Sequence, residues 1–347
     1  MAKADHPAHR LNFKAGELVE VRSEEEILST LDGRGMLEQL PFMPEMLRHC
    51  GRRFRVAKRA DKTCDTIHKT GGRRMWNAVH LEVRCDGSAH GNCQAACLVF
   101  WKEAWLKRVG TPVPETSTAA HEVLAPVGPC TRTDLEAAAA IDDGDTSGPR
   151  YMCQATELFR ATTPLPWWDV RQYWRDVGSG NVRLGELLRV LGRAMLTSHW
   201  RGTRLYNLVR RMAGRPSHPG VQGRLAGRTP AERLGLQPGE LVEVRSAAEI
   251  EATLSAENRN RGLRFDVEQV PFCGRQFRVL QRVERIIDEQ TGRMMQLPND
   301  CLMLEGAVCS SHYSQLRWFC PRAIYPYWRE IWLRRVAPTV APGTGPR

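Results

Sequence analysis

The chain has 347 residues, of which 42% are hydrophobic and 26% charged, and its net charge at pH 7 is +11. This is ordinary globular composition, and the length suits two or three domains. No run approaches the roughly 18 apolar residues of a membrane span, and the opening MAKADHPAHRLNFKAGE lacks the apolar core of a secretory signal. We therefore expect a cytoplasmic protein without membrane association, whose eleven cysteines are thiols, metal ligands or catalytic groups rather than structural disulfides.

The first predicted elements lie in GELVEVRSEEEI, which begins at Gly16. Leu18, Val19 and Val21 are typical of a half-buried strand. Ser23 precedes three glutamates, which predicts a helix N-cap and an acidic first turn. Further along, Phe-Arg-Val at 54–56 predicts a second strand, and Thr-Gly at 70–71 predicts a hairpin turn.

The same stretch recurs 223 positions later as GELVEVRSAAEI, which begins at Gly239. CGRRFRV at 50–56 matches CGRQFRV at 273–279 with the same offset, and FWKEAWLKRV at 100–109 matches YWREIWLRRV at 327–336. A shared opening, middle and close over about a hundred residues indicate two related, small, mainly β modules. The tryptophans of the closing segments are spaced by four, which favours a role in packing.

The region between the repeats is different in character. Residues 111–150 predict a linker with a short helix around 133–141, and WWD at 167–169 predicts the start of a helix that runs to about 177. Leucines from 184 onward follow helical spacing. Residues 183–233 contain eleven arginines, no lysine and two carboxylates, a surplus of nine positive charges. This segment therefore predicts a small, basic, helical domain.

The pattern Gly-x-x-Val-x-Val at the start of each module resembles SH3-like barrels of the KOW type. The chain also resembles a bacterial family with paired GELVEVRS-type modules and scattered cysteines, a resemblance that implies the paired architecture and no particular activity. The predicted class is α+β, with two SH3-like, mainly β modules flanking a helical domain. The predicted boundaries are 12–110 for module one with its cysteine-rich loop, 111–150 for the linker, 151–225 for the helical domain, 226–337 for module two and 338–347 for a tail.

A metal site is predicted in the loop CDGSAHGNCQAAC, which holds Cys85, Cys93 and Cys97. Small residues allow the backbone to curl while thiolates point inward. A tetrahedral metal needs a fourth ligand, for which Cys153, His90, Cys64 and Cys50 are candidates and Cys153 is favoured. Zinc and an iron–sulfur cluster both suit cysteine ligation, and the spacing does not separate them.

The repeat places cysteines in module two as well. Cys273, Cys309 and Cys320 correspond to Cys50, Cys85 and Cys93, whereas Cys97 has no counterpart. They predict either a second, weaker metal site or positions that serve packing in both modules.

The arginine-rich segment predicts contact with anions, because guanidinium groups bind phosphates and carboxylates bidentately. A nucleic acid and an acidic or phosphorylated partner both fit. The candidate residues are Arg189, Arg193, Arg201, Arg204, Arg210 and Arg211.

Three functions follow from these patterns. The first is a metal-binding protein with an accessory role in a biosynthetic or regulatory system. The second is a nucleic-acid-binding protein that uses KOW-like barrels and the arginine-rich helices, and the third is an iron–sulfur-dependent enzyme. The sequence contains no Ser-His-Asp order, phosphate-binding P-loop or dinucleotide-binding glycine pattern.

Overall fold

The structure, a computed structural model, describes residues 11–109, 130–146, 148–199, 221–314 and 316–336. The fold is mixed α+β, and the chain divides into two compact units. Unit one takes the described residues of Met1–Tyr206 with Arg285–Gln296 and Ser310–Ile324, and unit two takes those of Asn207–Glu284, Leu297–Cys309 and Tyr325–Arg347. In the described part of the chain, no helix has the length and apolar character required to cross a bilayer.

Unit one is built on a five-stranded antiparallel sheet that forms a half-barrel. Its strands in chain order are β1 Leu18–Val21, β2 Met36–Leu37, β3 Leu40–Pro41, β4 Arg53–Arg59, β5 Lys62–Cys64, β6 Gly72–Arg74, β7 Ala78–Arg84, β8 Leu98–Lys102, β9 Leu106–Arg108, β10 Ala140–Ile141, β11 Arg150–Tyr151 and β12 Thr163–Leu165. The five-stranded sheet has the order β8-β7-β4-β1-β9, and a smaller sheet has the order β12-β6-β5. Short 3-10 helices occupy Pro44–His49 and Glu103–Trp105.

The helices of unit one are short except for the last. They are α1 Glu24–Leu28, α2 Arg132–Ala139, α3 Gln154–Glu157, α4 Arg171–Gly178 and α5 Leu184–His199. The predicted cap of α1 is confirmed: Ser23 Oγ accepts from Glu26 N, and the Glu26 carboxylate accepts from Ser23 N. Three acidic residues in its first turn favour the positive end of the helix dipole.

Unit two repeats the core of this sheet. Its elements are β13 Leu241–Val244, α6 Ala247–Glu251, β14 Arg259–Asn260, β15 Leu263–Arg264, β16 Gln276–Arg282, β19 Leu302–Leu304 and β20 Leu333–Arg335, with 3-10 helices at Val267–Phe272 and Glu330–Trp332. The hairpin of β17 Arg285–Ile287 and β18 Met294–Gln296 belongs to unit one. The sheet order β19-β16-β13-β20 corresponds to β7-β4-β1-β9.

The strand registers of the two sheets are the same at equivalent positions. Leu18 pairs with Arg55 in β1 and β4, and Leu241 pairs with Arg278 in β13 and β16. A bulge follows Val56 in one sheet and Val279 in the other. The duplication read from the sequence therefore extends to backbone pairing, including its irregularity.

The closing tryptophans are the centre of each core, as their spacing suggested. Trp101 and Trp105 are fully buried around Phe42, whose ring lies edge-on to both. Phe265 occupies the equivalent place against the two buried tryptophans of unit two, Trp328 and Trp332.

The unit boundaries differ from the predicted domains. The described residues 151–199 lie in unit one rather than in a domain of their own, and α2 contributes Leu135 to the core of module one. Two segments that the sequence assigns to module two, 285–296 and 310–324, also lie in unit one. Backbone hydrogen bonds join the first of them there: Gln94 N donates to Arg285 O at 3.1 Å and Tyr151 N to Gly292 O at 2.9 Å. The second is held by the Arg84 side chain, whose Nη2 donates to Ala323 O at 2.9 Å.

Candidate functional site

The cysteine-rich loop connects β7 to β8 and closes tightly on itself. Cys85 N donates to Cys97 O at 2.9 Å, which joins the two ends of the loop. Gly87 has a φ of +72°, and a Cβ at this position would lie 2.2 Å from Cys93 O. Only glycine accommodates that approach, so the loop sequence favours a compact turn that brings its thiols near one another.

All four cysteines predicted as ligands line one cavity in unit one. Cys85, Cys93 and Cys97 come from the loop, and Cys153 comes from the segment that precedes α3. The cavity has a volume of about 50 Å³. A water occupies roughly 10–15 Å³ by this measure, so the space suits an ion or a few waters rather than an organic substrate.

Burial favours the protonated form of three of these thiols, those of Cys85, Cys97 and Cys153. It raises the pKa of Cys97 to about 11 and that of Cys153 to about 12. Burial also raises the pKa of Cys85, and the nearby Glu45 carboxylate adds to the effect. The charge of Cys93 contributes to raising the pKa of both Cys97 and Cys153, because thiolates this close repel each other.

A buried guanidinium lies at one side of the cavity. Arg322 lines it together with Glu289, and Arg322 Nη2 donates to Glu289 Oε1 at 2.7 Å. Burial opposes the positive charge, but the Glu289 carboxylate, together with the thiolate forms of Cys64, Cys97 and Cys320, outweighs it and raises the pKa of Arg322. The charge of Arg322 in turn favours thiolate at Cys64 and Cys97.

Cys64 and Cys320 form a contact that sequence reasoning did not predict. Both are buried in unit one, and a hydrogen bond between their thiols is the largest of the causes, ahead of burial, that raise the pKa of Cys64. The repeat groups Cys320 with Cys273 and Cys309, both of which lie in unit two. The predicted second site is therefore divided between the units, because the segment that carries Cys320 folds with unit one.

His90, an alternative fourth ligand, is already engaged. Its Nδ1 lies 2.9 Å from Glu45 Oε1 and its Nε2 lies 3.1 Å from Met152 O. Cys85 Sγ donates to the same Glu45 oxygen at 3.0 Å. Burial would raise the pKa of Glu45, yet the bonds from His90 and Cys85 outweigh it and lower the pKa. This network links the loop to the residue that precedes Cys153.

Gln154 holds Cys153 against the sheet. Its Oε1 accepts from Phe100 N at 2.8 Å, and its Nε2 donates to Phe100 O at 2.9 Å and to Pro41 O at 3.1 Å. No sequence pattern predicts this role, since a buried glutamine looks the same as a surface one in a linear pattern. Its side chain positions the fourth thiol beside the cavity.

The thiols line the cavity without converging on one point. In the residues that the structure describes, no three His, Cys, Asp or Glu side chains are arranged so that they could hold a metal ion. Ligation would therefore require the thiols to turn inward and to release their protons.

The structure accounts for two of the six arginines predicted to contact anions. Arg189 is exposed on α5. Arg193 donates to His312 O at 2.6 Å and its guanidinium lies 3.9 Å from the centre of the Tyr313 ring, so this side chain has partners within unit one. The other four, Arg201, Arg204, Arg210 and Arg211, lie outside the described residues.

Comparison with known proteins gave no assignment. No protein-family model matches the chain, and no curated protein matches it significantly.

Proposed function

We propose that this chain is a metal-binding protein in which Cys85, Cys93, Cys97 and Cys153 ligate zinc or an iron–sulfur cluster. The observation that carries the proposal is the shared cavity, which brings together thiols from two separate segments of unit one. An incidental set of buried cysteines would be scattered through the core, as Cys130 is against α2.

The charge of the surroundings supports this proposal. Four thiolates carry four negative charges, so a zinc ion or a cubane cluster held by them leaves a negative centre. A buried cation beside the cavity would offset that charge, and Arg322 lies there with its guanidinium near Cys97. Arg322 also pairs with Glu289 at 2.7 Å, which holds its guanidinium at the side of the cavity.

Hydrogen bonds that hold the segments on both sides of the cavity also support the proposal. Gln154 and the network of His90 and Glu45 fix the segments on both sides of the cavity. Such supporting bonds orient metal ligands in known sites and make their closure around an ion less costly. The small closing movement would convert neutral thiols into ligated thiolates.

We also propose that each module is a small SH3-like barrel, based on the Gly-x-x-Val-x-Val opening and the half-barrel sheet of unit one. Within this framework the protein would act as an accessory component of a biosynthetic or regulatory system. A cluster with one open iron would instead make it an enzyme. The nucleic-acid alternative loses support because Arg193 is committed to internal contacts.

The test is the metal and acid-labile sulfide content of protein purified without oxygen, with its visible spectrum. Cys97→Ser and Cys153→Ser should lose the bound metal. Cys130→Ser is the matched control, because Cys130 is a buried thiol of unit one that does not line the cavity. Zinc without colour would indicate a structural site, and iron with sulfide would indicate a cluster. Folded wild-type protein that binds neither zinc nor iron would overturn the proposal, as would retention of metal in both cavity variants.

A further inference from the structure

We infer that a second cavity of unit one binds a small molecule that carries a phosphate or carboxylate group. The cavity has a volume of about 280 Å³, close to the lower limit of small-molecule pockets. Four segments of unit one line it: 12–14, 59–61, 74–77 and the end of α4 at 175–179. None of the cysteines of the candidate metal centre takes part, so this inference is independent of the metal proposal.

The lining is strongly cationic. Lys14, Arg59, Arg74 and Arg175 face it, with Asp61 as the one carboxylate among the lining residues. Arg59 is neutralised within the protein by Asp61 and Glu103, each at 2.6 Å. The other three cations are left with far less compensation, which is the electrostatic arrangement expected of an anion site.

Arg74, Lys14 and Arg175 have few carboxylate partners to balance their positive charges. Arg74 Nη2 lies 3.1 Å from Asp169 Oδ2, but Asp169 is shared with Arg171, whose Nε lies 2.8 Å from Oδ1. Among the described residues, neither Lys14 nor Arg175 has a carboxylate within ion-pair distance. An oxyanion between Arg74, Arg175 and Lys14 would supply the missing charge.

The excess of positive charge around the cavity affects the pKa of Arg74. Burial lowers the pKa of Arg74, and the positive charges of Arg175 and Arg171 lower it further, whereas Asp169 only partly opposes them. Like charges held together in this way favour a bound anion, because the anion relieves their mutual repulsion.

The walls of the cavity are fixed and partly aromatic. Trp76 lines it beneath the Arg74 guanidinium, which lies 5.2 Å from the ring centre. The neighbouring backbone is held from behind, since Trp76 O accepts from Lys102 Nζ at 3.0 Å and Asn77 O accepts from Glu103 N at 2.8 Å. Asn77 has a φ of 50°, a left-handed conformation that its bonded carbonyl helps to hold. A planar group on the ligand could pack against Trp76 while its anionic group contacts the arginines.

The duplication supplies an internal comparison. Unit two has a cavity of about 180 Å³ at the equivalent place, next to the bulged strand β16. There the cation is Arg282, and the carboxylates of Glu284 and Asp300 outnumber it. Asn299 stands where module one has Trp76. The repeat thus preserves the groove and only unit one makes it cationic and aromatic, which argues that the charge serves a ligand rather than the fold.

The inference is tested by isothermal titration of the full chain with phenyl phosphate, benzoate and benzyl alcohol at low ionic strength. The double variant Lys14→Gln/Arg175→Gln removes two cations that make no ion pair among the described residues, so it should fold normally by circular dichroism. The control is Arg264→Gln, which removes one charge from an exposed position in unit two.

We expect phenyl phosphate or benzoate to bind the wild type at one site, and benzyl alcohol not to bind. The double variant should bind the anion at least tenfold more weakly, and Arg264→Gln should change affinity less than twofold. Tighter binding of phenyl phosphate than of benzoate would identify the ligand class as a phosphate, and the reverse order would identify a carboxylate. Absence of binding by both anions, or equal affinities of the double variant and the control, would overturn the inference.

Discussion

Arg59 Nη1 lies 2.6 Å from Glu103 Oε1, and the Glu103 side chain is fully buried. The same carboxylate accepts from the backbone N–H groups of Leu11, Asn12 and Phe13. Unit two repeats the arrangement with Glu330, which accepts from residues 234–236 and pairs with Arg282 at 2.5 Å. In both modules one buried carboxylate thus fixes the segment before the first strand to the turn before the last.

This relationship predicts that Glu103→Gln destabilises unit one by about 3 kcal/mol, because it leaves the buried Arg59 with Asp61 alone and removes the one counter-charge that is fully buried. The measurement is the free energy of unfolding in urea, with Glu17→Gln as the control. Glu17 pairs with Arg108 near the surface, and its loss should cost about 0.5 kcal/mol. Equal effects of the two substitutions would show that the buried pair does not stabilise the fold.

A second prediction concerns Gln154, whose bond from Nε2 to Phe100 O has a counterpart in unit two. There Gln269 Nε2 donates to Tyr327 O at 3.0 Å, and position 269 corresponds to Met46. Gln154→Leu should cost about 2 kcal/mol, because it leaves buried backbone groups of Phe100 unsatisfied. Adding Met46→Gln should recover about 1 kcal/mol by supplying the donor that unit two uses.

The free energy of unfolding of the double variant in urea is compared with those of both single variants in a double-mutant cycle. Met46→Gln alone should destabilise the protein, since it places a second amide in a core where Gln154 already satisfies Phe100. If the effects of the two substitutions were simply additive, a glutamine at position 46 would not replace the donor lost from Gln154, and the prediction would be wrong.

A third prediction concerns acid stability and His80. This side chain is fully buried with Nδ1 2.9 Å from Val99 O, and burial lowers its pKa from 6.5 to about 4. Between these two values the unfolded chain binds a proton that the native state excludes, so stability falls as the pH is lowered. Unit two has Met303 at the equivalent position, which makes His80→Met the natural test.

Between pH 7.5 and pH 5 the wild type should lose about 2 kcal/mol more stability than His80→Met, from 1.36 kcal/mol per pH unit below 6.5. The measurement is the unfolding free energy of both proteins at several pH values, so that any packing change appears as a constant offset. Parallel pH profiles would contradict the assignment of a neutral buried imidazole.

The sequence predicted the parts of the fold that local patterns encode. The offset of 223 positions foretold the shared register, since residues with the same pattern pair in the same way in β1 with β4 and in β13 with β16. The helix over 132–139 and the capping of α1 were also readable, because Thr131 and Ser23 satisfy backbone donors within their own segments.

The sequence could not reveal where distant segments meet. Cys320 was assigned to module two from its position in the repeat, yet it lies beside Cys64 because residues 310–324 fold with unit one. Arg322 lies at the candidate metal centre for the same reason, and the sequence does not predict it as a site residue. The cationic cavity was missed because Lys14, Arg74 and Arg175 belong to three separate segments, none of which is conspicuous by itself.

The last prediction is that metal binding at the cysteine cavity releases protons. Burial holds the pKa of Cys97 at about 11 and that of Cys153 at about 12, whereas a metal ligates the thiolates. Affinity for zinc should therefore rise with pH throughout the neutral range. The slope of log affinity against pH equals the number of protons released, which we expect to be at least two.

Competition with a chromophoric zinc chelator between pH 6.5 and 8 measures the slope, and calorimetry in buffers of different ionisation enthalpy counts the protons independently. Cys97→Ser should lower the slope by about one if any zinc is still bound, whereas Cys130→Ser should leave it unchanged. Tight zinc binding with a slope near zero would mean that the ligands are not these buried thiols.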